Sequence, residues 1–93
     1  MTLDTDRPLR CALVGTGSVA RLHAEAVAAD PAAQLVAVTD ISPDAARNFA
    51  QAHDVPTVHA DLDALLSAER PEVVLICTPP AVHREQTLAA FAA

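Results

Sequence analysis

The sequence predicts an α/β fold: a partial doubly wound parallel sheet of strand order 3-2-1-4, with helices on both faces. Three observations carry that prediction. Strand-like and helix-like segments alternate along the chain, the pattern of βαβ units. The strand-like segments are continuous apolar runs, as expected of parallel strands covered on both faces. A glycine turn, Gly15-Thr16-Gly17-Ser18-Val19-Ala20, joins the first such run to the first helical pattern.

Arg10 to Val14 reads as the first strand. A helix follows from Ser18 to about Ala29, with Val19, Leu22, Ala26 and Ala29 as its expected apolar stripe. Asp30 precedes Pro31, which disfavours helical geometry and ends it. Leu35 to Thr39 is the second buried strand. Ser42-Pro43-Asp44 starts the next helix with a hydroxyl cap, a proline at the first position and an acid near the positive end of the dipole. That helix runs to about His53 with Ala46, Phe49, Ala50 and His53 on one side. Thr57 to His59 is a weak third strand. Asp61 caps a short helix, Leu62 to Ala68, which stops before Pro71. Val73 to Cys77 is the clearest strand. After the Thr78-Pro79-Pro80 break, a last helix is expected from Ala81 onward, with Leu88 and Phe91 on one face.

Composition bounds the rest. The 93 residues make at most one small domain, and 52% apolar content supports a packed core. Much of that content is alanine, and only 2% is aromatic, which suits helices lying close on a sheet. A net charge of −6 argues against nucleic acid or an anionic membrane as a partner. Neither a secretory signal nor a bilayer-spanning apolar run is present, so a cytoplasmic location is expected. The two cysteines, Cys11 and Cys77, are then reduced. They fall at opposite ends of adjacent strands, roughly 10–15 Å apart at about 3.3 Å per residue, too far for a disulfide.

The glycine turn carries the chemistry. Gly15 lets the chain leave the strand sharply, and Gly17 lets backbone approach a pyrophosphate. Ala20 stands where a third glycine often lies and still allows close helix–strand packing. The helix start then offers unpaired N–H groups and a positive dipole end to phosphate. A tight turn without a ligand is the plainer alternative. Asp40, at the carboxyl end of the second strand, suits the hydroxyls of an adenosine ribose and would repel a 2′-phosphate. NAD is therefore favoured, with NADP possible because Ser42 and Arg47 lie near enough to help a phosphate. A solvated turn acid is the alternative for Asp40. Thr78-Pro79-Pro80 should form the other wall of the crevice, since the fourth strand flanks the first at the switch point. His83 lies just beyond, as a pocket-lining or capping residue or a catalytic acid or base.

Other candidates point to structure. His23 reads as packing or a hydrogen bond. His53 and His59 lack partners at metal spacing. Asp61 and Asp63 read as helix-capping and dipole-facing acids.

Gly15-Thr16-Gly17-Ser18-Val19-Ala20-Arg21-Leu22-His23 resembles the opening of the Gfo/Idh/MocA oxidoreductases. Thr78-Pro79-Pro80-Ala81-Val82-His83, followed by Ala89-Ala90-Phe91-Ala92-Ala93, resembles that family's loop and helix after strand four. Asp40 falls where the family often carries its ribose-binding acid. The resemblance covers Arg10 to Ala93. It implies a Rossmann-type domain holding NAD or NADP through Gly15, Gly17, Ala20, Asp40 and Thr78. It also implies a separate C-terminal substrate domain, and hydride transfer at a hydroxyl-bearing carbon of a sugar, cyclitol or related compound. The family's recurrent Lys, in a Glu-Lys-Pro motif after the next strand, has no counterpart here, since the sequence contains no Lys.

Residues 1–93 are thus expected to form a single, incomplete dinucleotide-binding domain, without the substrate domain and without catalysis of its own. A small-molecule substrate enters only if that domain is supplied. The alternatives are a stand-alone nucleotide-binding or regulatory module and an inactive remnant. Val73–Cys77, apolar and uncharged, is an expected site of self-association if left as a sheet edge, and of marginal stability.

Overall fold

The computed structural model describes residues 7–78. The elements run β1 (Leu9–Val14), α1 (Ser18–Ala28), β2 (Ala33–Thr39), α2 (Pro43–His53), β3 (Thr57–His59), α3 (Leu62–Glu69) and β4 (Val73–Ile76). The four strands are parallel in the order β3-β2-β1-β4, as the sequence predicts. The expected final helix, with Pro79 and His83, lies outside the described residues.

Local chemistry explains the element ends. Ser42 Oγ accepts a hydrogen bond from Ala45 N at 3.2 Å, and Asp61 Oδ1 accepts one from Ala64 N at 2.8 Å. α2 and α3 are therefore capped by the residues expected to cap them. Their carboxyl ends stop without glycine. Asp54 and Arg70 take left-handed φ values of 56° and 45°. Each returns its N–H to a carbonyl of the last turn.

The two faces of the sheet bury different helices. Leu13, Val38 and Val55 pack with Ala20 and Ala24 of α1 and with Phe49 and Ala50 of α2. On the opposite face, Ala12, Val14, Val36 and Ala37 pack with Leu62, Leu65 and Leu66 of α3. This is the double winding that the alternation of elements implied.

The buried stripe of α1 differs from the expected one. Ala20 and Ala24 face the sheet, while Val19 and Leu22 stand 57% and 59% exposed. Size decides the face. The glycine turn delivers α1 so close to the strands that only a methyl group fits at the contact. A hydrophobicity pattern, which weights Val and Leu above Ala, selects the wrong side.

β2 carries a bulge. Cys11 pairs with Leu35, but Ala12 pairs with Ala37, so Val36 is an extra residue in β2. Val36 and Ala37 consequently face the same side, and Val38 returns to the other. Arg10, Glu69 and His59 tie this side of the fold together. Glu69 Oε1 accepts from Arg10 Nη2 at 3.1 Å, and Glu69 Oε2 lies 2.8 Å from His59 Nε2.

Cys11 and Cys77 are both free thiols. Cys11 is level with Val73 on β4, which separates it from Cys77 along the sheet. Burial raises the pKa of both thiols above the ordinary value, and the nearby Glu72 and Asp30 carboxylates add to the rise at Cys11. The folded state therefore holds thiol protons that the unfolded chain releases above about pH 8.5. Stability is full below that pH and falls as pH rises through the folded values. The sequence has no Lys and no Tyr, the other side chains whose ordinary values lie in that range. The urea midpoint is expected to fall between about pH 8 and pH 10, and to flatten in Cys11→Ala/Cys77→Ala.

Candidate functional site

Three strand ends converge on the glycine turn. Gly15 N donates to Thr39 O of β2 at 2.9 Å, and Cys77 N donates to Val14 O of β1 at 2.8 Å. Gly15 has φ +94°, a conformation that side chains resist. A Cβ added there would sit 2.9 Å from Cys77 O and 3.2 Å from Thr78 Cγ2. Gly15 is thus pressed against the segment after β4, which brings Thr78 beside the turn.

Gly17 is the opposite case. A Cβ built there meets nothing within 4 Å. Gly17 is also the N-cap of α1, and no side chain caps this helix or places an acid in its first turn. The first intrahelical bond runs from Arg21 N to Gly17 O at 3.1 Å. The amides of Ser18, Val19 and Ala20 therefore have no helical acceptor. Gly17 is thus open where α1 starts, and the free donors there carry the positive end of the helix dipole, which suits a phosphate.

Asp40 is held from two sides. Its Oδ2 accepts from Thr16 N at 2.9 Å and from Thr16 Oγ1 at 2.8 Å. Its Oδ1 accepts from Ser42 N at 2.8 Å. β2 pairs with β1 so that Thr39 is level with Val14, which sets Asp40 level with the turn.

The structure thus gathers Gly15, Thr16, Gly17, Ser18, Ala20, Asp40 and Thr78 at the carboxyl ends of β1, β2 and β4. Val19 is exposed on the first turn of α1. Arg47, considered as a phosphate partner, pairs instead with Asp44 on its own helix. Sequence reasoning missed Ile41. It is 96% exposed between Asp40 and Ser42, and a large apolar residue directly after Asp40 was the available signal. His23 is exposed rather than packed. His53 stacks on Phe49 at 4.4 Å. His53 also helps line a groove of about 410 Å³ with Ala24, Val27, Ala33, Gln34 and Pro56. That groove involves the start of β2, the end away from the glycine turn, and none of the gathered residues lines it. Ligands of open parallel sheets bind outside the carboxyl ends of the strands.

Residues 9–93 match the family model described as an oxidoreductase family with an NAD-binding Rossmann fold. The chain belongs to the Gfo/Idh/MocA oxidoreductase family. It is 38% identical over 90 residues to D-glucoside 3-dehydrogenase of Escherichia coli K12, covering 96% of this chain and 26% of that protein. It is also 38% identical over 79 residues to inositol 2-dehydrogenase of Rhizobium meliloti 1021, covering 83% of this chain and 23% of that protein. The solved structure of GenD2 from gentamicin A biosynthesis, in complex with NAD, superposes with a TM-score of 0.86. It is 27% identical and covers 99% of this chain and 26% of GenD2. The chain therefore carries the NAD-binding Rossmann domain of the Gfo/Idh/MocA family and spans about a quarter of the length of these relatives. No helix among the described residues is long and apolar enough to cross a membrane.

Proposed function

We propose that Gly15–Ala20, Asp40 and Thr78 hold NAD, and that the chain serves as the cofactor-holding portion of a cytoplasmic oxidoreductase. The proposed reaction moves a hydride between the nicotinamide and a hydroxyl-bearing carbon of a sugar or cyclitol. One observation supports the cofactor reading: Gly17, open around its Cβ position, starts the uncapped helix α1, and the Asp40 carboxylate is bonded to the neighbouring Thr16. The amides of Ser18–Ala20 bind the pyrophosphate and spread its charge. Gly17 keeps backbone, not side chain, against it. Asp40 accepts from an adenosine ribose hydroxyl, and Ile41 lends an apolar surface beside it. Bound NAD supplies the hydride acceptor, and these residues orient it. The substrate class rests on the relatives, which are named for glucosides and inositol.

Titration of NADH fluorescence with the full chain tests the cofactor reading. Asp40→Ala is expected to weaken NADH about tenfold, the scale of one lost hydrogen bond to a charged group, and to weaken NADPH far less. Equal loss for both dinucleotides would remove Asp40 from the ribose site. No binding of either by the wild-type chain would overturn the reading. Turnover is checked on protein purified from its source cells, with NAD and a panel of glycosides and inositols. NADH formation with one class would assign the substrate.

A further inference from the structure

We propose that the Thr16 hydroxyl is the positioning group that sets how strongly this chain discriminates NAD from NADP. The inference rests on the reading that Asp40 faces the adenosine ribose. An ionised carboxylate has about four acceptor sites. Thr16 N and Thr16 Oγ1 take both sites on Oδ2, and Ser42 N takes one on Oδ1. One site on Oδ1 is left for a ribose hydroxyl. The Ser42 and Thr16 amides are fixed by the backbone. Thr16 Oγ1 is the one side-chain group among these three donors, and it bonds to the same oxygen as its own amide. Together they prevent the carboxylate from turning about its side-chain bonds.

A fixed carboxylate discriminates better than a mobile one. A 2′-phosphate arriving at a mobile acid is accommodated when the acid swings aside. Here the acid has no such freedom, so like charges are forced together. The start of α2 offers the phosphate little relief. Ser42 N donates to Asp40, Ser42 Oγ accepts from Ala45 N, and Arg47 pairs with Asp44. Thr16 lies in the phosphate turn and Asp40 in the ribose-binding turn, so the Thr16 hydroxyl also joins the two halves of the cofactor site.

The test measures NADH and NADPH dissociation constants for the full chain in four variants: Thr16→Val, Thr16→Ser, Asp40→Ala and the Thr16→Val/Asp40→Ala pair. Thr16→Val keeps the shape and the amide but removes the hydroxyl. It is expected to lower the ratio of NADPH to NADH dissociation constants by roughly three- to tenfold, the range for one ordinary net hydrogen bond, since Thr16 acts only through Asp40. Thr16→Ser restores the ratio. In the Asp40→Ala background, Thr16→Val leaves the ratio unchanged, because the group through which Thr16 acts is gone. If Thr16→Val weakens both dinucleotides equally, Thr16 merely supports the turn and the inference falls. An unchanged ratio overturns it as well, while wild-type NADH binding leaves the cofactor reading standing. Absence of NADH binding by the wild-type chain overturns both.

Discussion

Gly15→Ala is expected to lower the thermal midpoint by roughly 10–25 °C and to abolish measurable NAD binding. Two costs combine. The φ of +94° is open to glycine and strained for alanine, which costs on the order of 1–3 kcal/mol. The new methyl would also stand 2.9 Å from Cys77 O and 3.0 Å from Cys77 C. These are backbone atoms tied to β1 through the Cys77 N to Val14 O bond. They cannot rotate away as a side chain would, so the segment after β4 must move, adding on the order of 1–3 kcal/mol. A domain of this size has only about 5–10 kcal/mol of stability in total. Circular-dichroism melting measures the first effect, and NADH titration below the lowered midpoint measures the second. A midpoint within about 3 °C of wild type would show that the turn relaxes freely.

Gly17→Val is expected to separate the two effects. The φ of −81° suits any residue, and no neighbour lies within 4 Å of a Cβ. The thermal midpoint is therefore expected to stay within about 5 °C of wild type, the scale of an altered N-cap. Binding should suffer instead. The isopropyl group fills the space before Ser18–Ala20 and holds the pyrophosphate off the amides. Loss of one or two charge-assisted hydrogen bonds predicts a dissociation constant raised at least about 100-fold. Retained affinity would place the phosphates elsewhere. The two glycines stand two residues apart, and their substitutions are expected to fail for different reasons, one through the fold and the other through the ligand.

The order of elements was legible because proline, serine and aspartate mark the helix ends and the buried strands are continuous apolar runs. Ser42 and Asp61 do what their position implies. The glycine turn and Asp40 were legible as a pair because their spacing matches one strand–turn–helix–strand unit. The inward face of α1 was legible only at Ala20, through the glycine-turn pattern, and its apolar stripe pointed to the wrong side. Its contact is governed by how near the helix lies to the sheet, and a pattern of hydrophobicity carries no distance. The second task of Asp40, anchoring Thr16, was hidden because a carboxylate's partners depend on tertiary register. The bulge left no mark at all, since Val36 is an ordinary strand residue with no glycine or proline beside it. Ile41 was overlooked for a simpler reason: a single exposed isoleucine is usually unremarkable in sequence.

That bulge has a bearing on how the chain tolerates change in length. A one-residue slip in a regular strand sends every later side chain to the wrong face. β2 already contains its own spare residue. Leu35 and everything before it are in step with β1, and Ala37 and everything after it are in step again. Removing Val36 would join two correctly phased halves. The positions of Thr39 and Asp40 would be unaltered, and the cost would be confined to one missing side chain on the α3 face. The residue count of the strand is thereby uncoupled from the address of the acid, and evolution can shorten β2 at this point without moving the cofactor site.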